Sequence, residues 1–161
     1  MRTSEQIKAE IAKKFGFIPP FFVPAEQNPQ VLENLWQQTL FAYINNPLPT
    51  LFKEKLAAYL SRYCAIPYCT ICHSCFLRSL GVRAREVLDL LESPPPVETD
   101  IDAHLRVLAA HPDQLIDLSK LNSALEDSLL SCAIFISVEG EQANYYRTSL
   151  RPLLGAVNYS I

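Results

Sequence analysis

The sequence predicts an all-α fold, and a few observations carry that prediction. Apolar residues recur at spacings of three and four along most of the chain, the period of one helical face. Asn, Pro and Gly punctuate those stretches where helices start and stop. No run alternates apolar and polar residues for long enough to read as a strand. The 161 residues are 49% apolar and 19% charged, a globular balance that suits one domain spanning residues 1–161 with a single sizeable core.

Taken in order, Ser4 to Phe15 has Ile7, Ile11 and Phe15 on one face and Gly16 as its stop. The prolines of Phe17 to Pro24 forbid a regular helix there, so this segment reads as an extended apolar arm laid over the core or over a partner. Asn28 caps the next helix, with Pro29 at its first position and a stripe of Leu32, Leu35, Trp36, Thr39, Leu40 and Tyr43. Trp36 belongs to the core on this pattern, and Asn45-Asn46-Pro47 ends the helix. Thr50 opens a helix to about Cys64, with Leu56, Leu60 and Tyr63 on one face. Pro67 starts another that runs to about Leu80, closed by Gly81, and Val82 to Leu91 forms a short one. Beyond the stiff connector Ser93-Pro94-Pro95-Pro96, helices are expected from about Asp100 to Ala110, briefly after Pro112, from about Ser123 to Val138, and from Glu141 to Leu150. Pro152 should stop the last.

A faint repeat is present. Leu51 to Gly81 and Leu125 to Gly155 both read as an apolar helix, a break, and a second helix ending in Leu-Gly. In that register Cys69 falls opposite Ala143 and His73 opposite Arg147.

Several function classes are disfavoured. The net charge is −3 and no long Lys/Arg cluster occurs, so nothing attracts nucleic acid. The longest uncharged apolar-rich run, Leu129 to Val138, is too short for a bilayer. Met1 to Gln6 leads into a charged pattern without the apolar core of a signal peptide. A cytoplasmic location is therefore expected, where the five cysteines read as reduced thiols with redox or metal roles favoured over structural bridges.

Four of those cysteines fall within Cys64 to Cys75. If Pro67 starts the helix, Cys69 sits in its first turn, where backbone donors and the helix dipole favour a thiolate. His73 lies four residues on, along the same face. An imidazole there can take the thiol proton and leave a nucleophile.

The spacing extends further. Glu54 is followed by eleven residues and then Ile66, two residues, Cys69, three residues and His73, with Phe76-Leu77-Arg78-Ser79-Leu80-Gly81 closing the pattern. This resembles the helical signature of the alkylhydroperoxidase D-like (carboxymuconolactone decarboxylase) family: Glu, eleven residues, Cys, two residues, Cys, three residues, His, then an apolar run to Gly. Gly16-Phe17-Ile18-Pro19 and Asn28-Pro29 are similar to the family's lead-in. The resemblance is closest over about residues 15 to 90. It implies an alkylhydroperoxidase D-like helical bundle and a homo-oligomer. It also implies that Cys69 attacks a hydroperoxide, with His73 as its proton partner and Glu54 orienting or relaying through His73. No cofactor follows from it.

Ile66 stands where the family has its first, resolving cysteine. Cys72 is the first candidate to replace it, through a Cys69-x-x-Cys72 pair. Cys64, across Pro67, is the second, and Cys75 the last. Resolution by a partner thiol protein or a small thiol is the other route. Two further readings stand beside the peroxidase: a non-catalytic helical module for assembly or redox sensing, and a lactone decarboxylase-like activity.

Plainer readings also apply. Cys64, Cys75 and Cys132 fall in apolar helical stretches, where free cysteine packs as a small hydrophobe. Glu54 taken alone is a solvated first-turn acid. His104 and His111 have no thiol or carboxylate at suggestive spacing. Cys69, Cys72, His73 and Cys75 include soft ligands for zinc, but on one helix they point in different directions, so no metal is expected.

Overall fold

The computed structural model describes residues 2–138 and 140–159. Among the described residues the regular structure is helical, without a strand, as the periodicity requires. Contacts fall into two compact units, one ending at Asn46 and the other beginning at Pro47.

In the first unit, α1 (Ser4–Phe15) opens on a capping box in which the Thr3 hydroxyl accepts from the Gln6 amide and the Gln6 side chain accepts from the Thr3 amide. It ends at Gly16, whose φ of 80° suits a residue without Cβ. Asn28 caps α2 (Pro29–Gln38), accepting from the amides of Gln30 and Val31 at 3.1 and 3.2 Å. Arg2 ties the two together, donating to Glu33 and Glu10. Ile7, Ile11, Phe22, Leu32 and Trp36 form the buried centre, with Phe22 edge-on to Trp36 at 6.0 Å.

Two expectations are corrected here. The segment Phe17 to Pro24 is not an extended arm: Pro20–Ala25 winds into a 3₁₀ helix that buries Phe22 and Ala25 and leaves Phe17, Phe21 and Val23 exposed. Proline's fixed φ is compatible with a tight 3₁₀ turn, and the buried Phe22 selects that turn over an extended chain. Beyond Gln38 the chain does not continue as α-helix, because Thr39–Ile44 widens into a π turn.

The second unit contains α3 (Thr50–Tyr63), α4 (Pro67–Ser79), α5 (Ala84–Glu92), α6 (Glu98–Ala109), α7 (Ser123–Val138) and α8 (Ala143–Tyr159), with short 3₁₀ turns at Pro112–Leu115 and Leu118–Lys120. Its main core gathers Phe52 and Tyr59 of α3, Ile101 and Leu108 of α6, Leu129 and Phe135 of α7, and Tyr146 and Leu150 of α8. A smaller cluster of Ala58, Leu77 and Val87 joins α3, α4 and α5. The face of α3 is turned from that expected: Phe52, Glu54, Ala58, Tyr59 and Ser61 are buried, Leu56 and Leu60 partly so, and Tyr63 is exposed.

Pro152 does not stop α8. The helix runs through it and breaks at Gly155, where φ is 72° and ψ 166°. An internal proline costs about 3 kcal/mol. Burial of Leu150 and Leu154 returns about 1.5–3 kcal/mol each, so packing holds the helix past the proline.

Candidate functional site

The site is built on the hairpin formed by α3 and α4. Its turn is short because Ala65 adopts a left-handed φ of 54°. The Cys64 amide donates to Leu60 O and the Ile66 amide to Ser61 O, both at 2.8 Å, closing α3 with a Schellman-like pair of bonds. Pro67 then starts α4 at once. Ile66, at the N-cap, supplies no side-chain oxygen. The positive end of α4 is thus left without an internal capping acceptor, and Cys69 occupies the third position of that first turn.

Glu54 and His73, nineteen residues apart in sequence, meet across the hairpin, with His73 Nδ1 at 2.7 Å from Glu54 Oε2. Glu54 is only 2% exposed, against 24% for the His73 side chain. Glu54 is therefore no solvated first-turn acid. A carboxylate removed from water needs a hydrogen-bonding partner, and the ring nitrogen of His73 meets that need. When Nδ1–H donates to the carboxylate, the tautomer is fixed with the lone pair on Nε2.

Cys69 is half-buried, one turn before His73 on the same helix. Cys72 is exposed. The phenol of Tyr68 is raised from its ordinary value first by its hydrogen bond with the Cys72 thiol, with burial and the proximity of Cys72 and Cys69 adding to it. Cys64 and Cys75 are exposed rather than packed, a correction to the reading of both as buried thiols. Cys64 is the C-cap of α3, and Cys75 lies on the exposed side of α4. Cys132 does pack as a hydrophobe: burial alone pushes its thiol up to about 12.

Ser74, next to His73, has a buried hydroxyl with no hydrogen-bond partner among the described residues. Among those residues no group of three or more His, Cys, Asp or Glu is gathered as a metal site. No helix among them is long and apolar enough to cross a membrane.

Other polar pairings went unread in the sequence because their partners are distant along the chain. His104 Nδ1 lies 3.2 Å from the buried Ser128 Oγ. The Tyr146 hydroxyl lies 3.2 Å from both Glu98 Oε1 and Asp102 Oδ1, and burial with those carboxylates raises its phenol from the ordinary value. A cavity of about 280 Å³ is lined by Tyr59, Ser93, Asp100, His104 and Ser131 among others, and Cys69 does not line it. His111 is exposed, with its Nδ1 3.0 Å from Val107 O.

No family model, no curated protein and no solved structure matches the chain.

Proposed function

We infer that this chain is a thiol-dependent, peroxidase-like redox protein in which Cys69 reacts with hydroperoxides. The Glu54–His73 hydrogen bond, one turn along α4 from Cys69, carries the reading, because it would give the thiol an oriented base. His73 Nε2 takes the thiol proton while Glu54 holds the ring and stabilises the imidazolium. The thiolate attacks the distal oxygen of the hydroperoxide, the O–O bond breaks, and the proton passes from His73 to the departing alkoxide. The products are a Cys69 sulfenic acid and an alcohol. A second thiol attacks the sulfenic sulfur, expelling water and forming a disulfide, and two thiols of a reductant restore the dithiol. Cys72 is the first candidate for the second thiol, Cys64 the next, and an external thiol the third.

The all-α fold and the Glu54–His73 pair agree with an alkylhydroperoxidase D-like scaffold, in which a homo-oligomer is expected. A sensing module is the second reading, favoured by Ile66 in place of a resolving cysteine and by three exposed thiols nearby. The two part on turnover. With excess small thiol, the purified chain consumes an organic hydroperoxide repeatedly, C69S does not, and E54Q is slowed by about a hundredfold. One equivalent of oxidation per chain and no more identifies the sensor. Unchanged turnover in C69S rules out both.

A further inference from the structure

The cavity of about 280 Å³ in the second unit has Pro94, Pro96, Leu130 and Ile134 as apolar walls. A dry cavity of about 150 Å³ is enough to hold benzene, so this one has room for a single ring with a small substituent. One wall is braced, because the Tyr59 hydroxyl donates to Ser93 O at 3.2 Å and fastens the proline connector to α3. No Lys or Arg lines the cavity, and Asp100 is its one carboxylate.

His104 follows Asp100 by one turn of α6, on the same side of the helix. Its Nδ1 lies 3.2 Å from the hydroxyl of Ser128, which is only 3% exposed. Ser128 has no other partner among the described residues, so its hydroxyl proton is donated to Nδ1. The hydrogen of the neutral ring is then on Nε2. His104 lines the cavity and Ser128 does not, which leaves Nε2–H as the ring donor available to a ligand. Neither Nε2 nor the Asp100 carboxylate has a partner among the described residues.

We propose that this cavity binds a small neutral alcohol or phenol whose apolar body is about one ring in size. The ligand hydroxyl accepts from His104 Nε2–H and donates to Asp100, while the body lies against the prolines, Leu130 and Ile134. One hydroxyl satisfies both groups at once. A carboxylate or phosphate would meet the charge of Asp100 with no cation on the walls to offset it. An ammonium would offer His104 no acceptor. Mostly apolar walls with a few convergent polar groups are the usual form of a small-molecule site. Cys69 does not line the cavity, so the proposal does not rest on the peroxidase reading.

The test titrates p-cresol into the isotope-labelled full chain and follows backbone amide shifts. Saturable shifts are expected, concentrated on α6, α7 and the connector Ser93–Pro96, with a Kd of about 1 mM or below. Toluene keeps the ring and methyl group without the hydroxyl, and it should bind at least about tenfold more weakly. D100A, at an exposed position of α6, should weaken p-cresol by a similar factor with unchanged helical circular dichroism. The proposal is overturned if p-cresol gives no saturable shifts at millimolar concentrations, or shifts centred on other elements. It is equally overturned if toluene matches p-cresol, if D100A leaves binding unchanged, or if p-toluate or p-methylbenzylamine binds more tightly than p-cresol.

Discussion

The hairpins α3–α4 and α7–α8 share a plan and differ in what they bury. Each is a helix, a break, and a second helix closed by a glycine with positive φ, 93° at Gly81 and 72° at Gly155. In the first, buried Glu54 bonds His73 of its own hairpin. In the second, the position of Glu54 is held by buried Ser128, which meets His104 of α6 instead. Ala143, 2% exposed, stands where Cys69 does. Arg147, in the place of His73, is exposed and donates to Asn144 Oδ1 and Ile136 O. One hairpin spends its buried polar position on an imidazole beside a thiol, and the other closes the core. The two similar frames thus differ in the partner of their buried polar position.

The largest effects expected of this division lie in the pairs that it opposes. H73A removes the hydrogen bond to the buried Glu54 and should cost about 1–3 kcal/mol of unfolding free energy in urea melts. R147A, at the matching position of the other hairpin, should cost less than about 1 kcal/mol. Equal costs would erase the distinction between a buried pair and a surface one. The order reverses for packing. L150A empties a core site and should cost about 2–5 kcal/mol. F76A, its counterpart on the exposed side of α4, should cost less than about 1 kcal/mol.

The thiols give a smaller, pH-dependent contrast. Cys64, Cys72 and Cys75 should react with an aromatic disulfide reagent in the native state, while Cys132 should react only on unfolding. Burial raises the Cys132 thiol from about 9.0 to about 12. The folded chain therefore holds this proton across that window while the unfolded chain releases it. Its contribution to stability is fully present below about pH 9 and declines as the pH climbs toward 12. A C132A variant, whose alkaline melts lose that component of the pH dependence, checks the sign.

The smallest effect concerns the turn. Ala65 carries a φ of 54°, which costs a side-chain-bearing residue about 1 kcal/mol. A65G should therefore stabilise the chain by about 0.5–1 kcal/mol in the same melts, less what the freer unfolded glycine takes back. A loss of stability would mean that the hairpin gains nothing from relief at that position.

Most of the helices were legible because their signals are local. Asn28-Pro29 and Gly16 mark ends through backbone chemistry that needs no tertiary partner, and Ile7 and Ile11 mark a face. What was not legible depended on contacts. Proline at position 152 reads as a stop until Leu150 and Leu154 are known to be held in the core. The buried side of α4 could not be read from periodicity, because apolar and uncharged polar residues alternate around it without a charged face, which also hid the exposure of Cys75 and Phe76. The spacing of Glu54 to His73 suggested a shared site, but the 2% exposure that gives the pair its force arises only when α3 and α4 pack.

The most direct test of the Cys69 assignment is peptide mass spectrometry after one equivalent of hydrogen peroxide, with remaining thiols blocked at once. Accessibility alone favours Cys64, Cys72 and Cys75, which are all more exposed than the half-buried Cys69. Activation by His73 and Glu54 predicts the opposite order, with oxidation concentrated on Cys69 as a sulfenic acid or bridged to Cys72 or Cys64. Oxidation that follows exposure, leaving Cys69 behind its neighbours, would contradict the account.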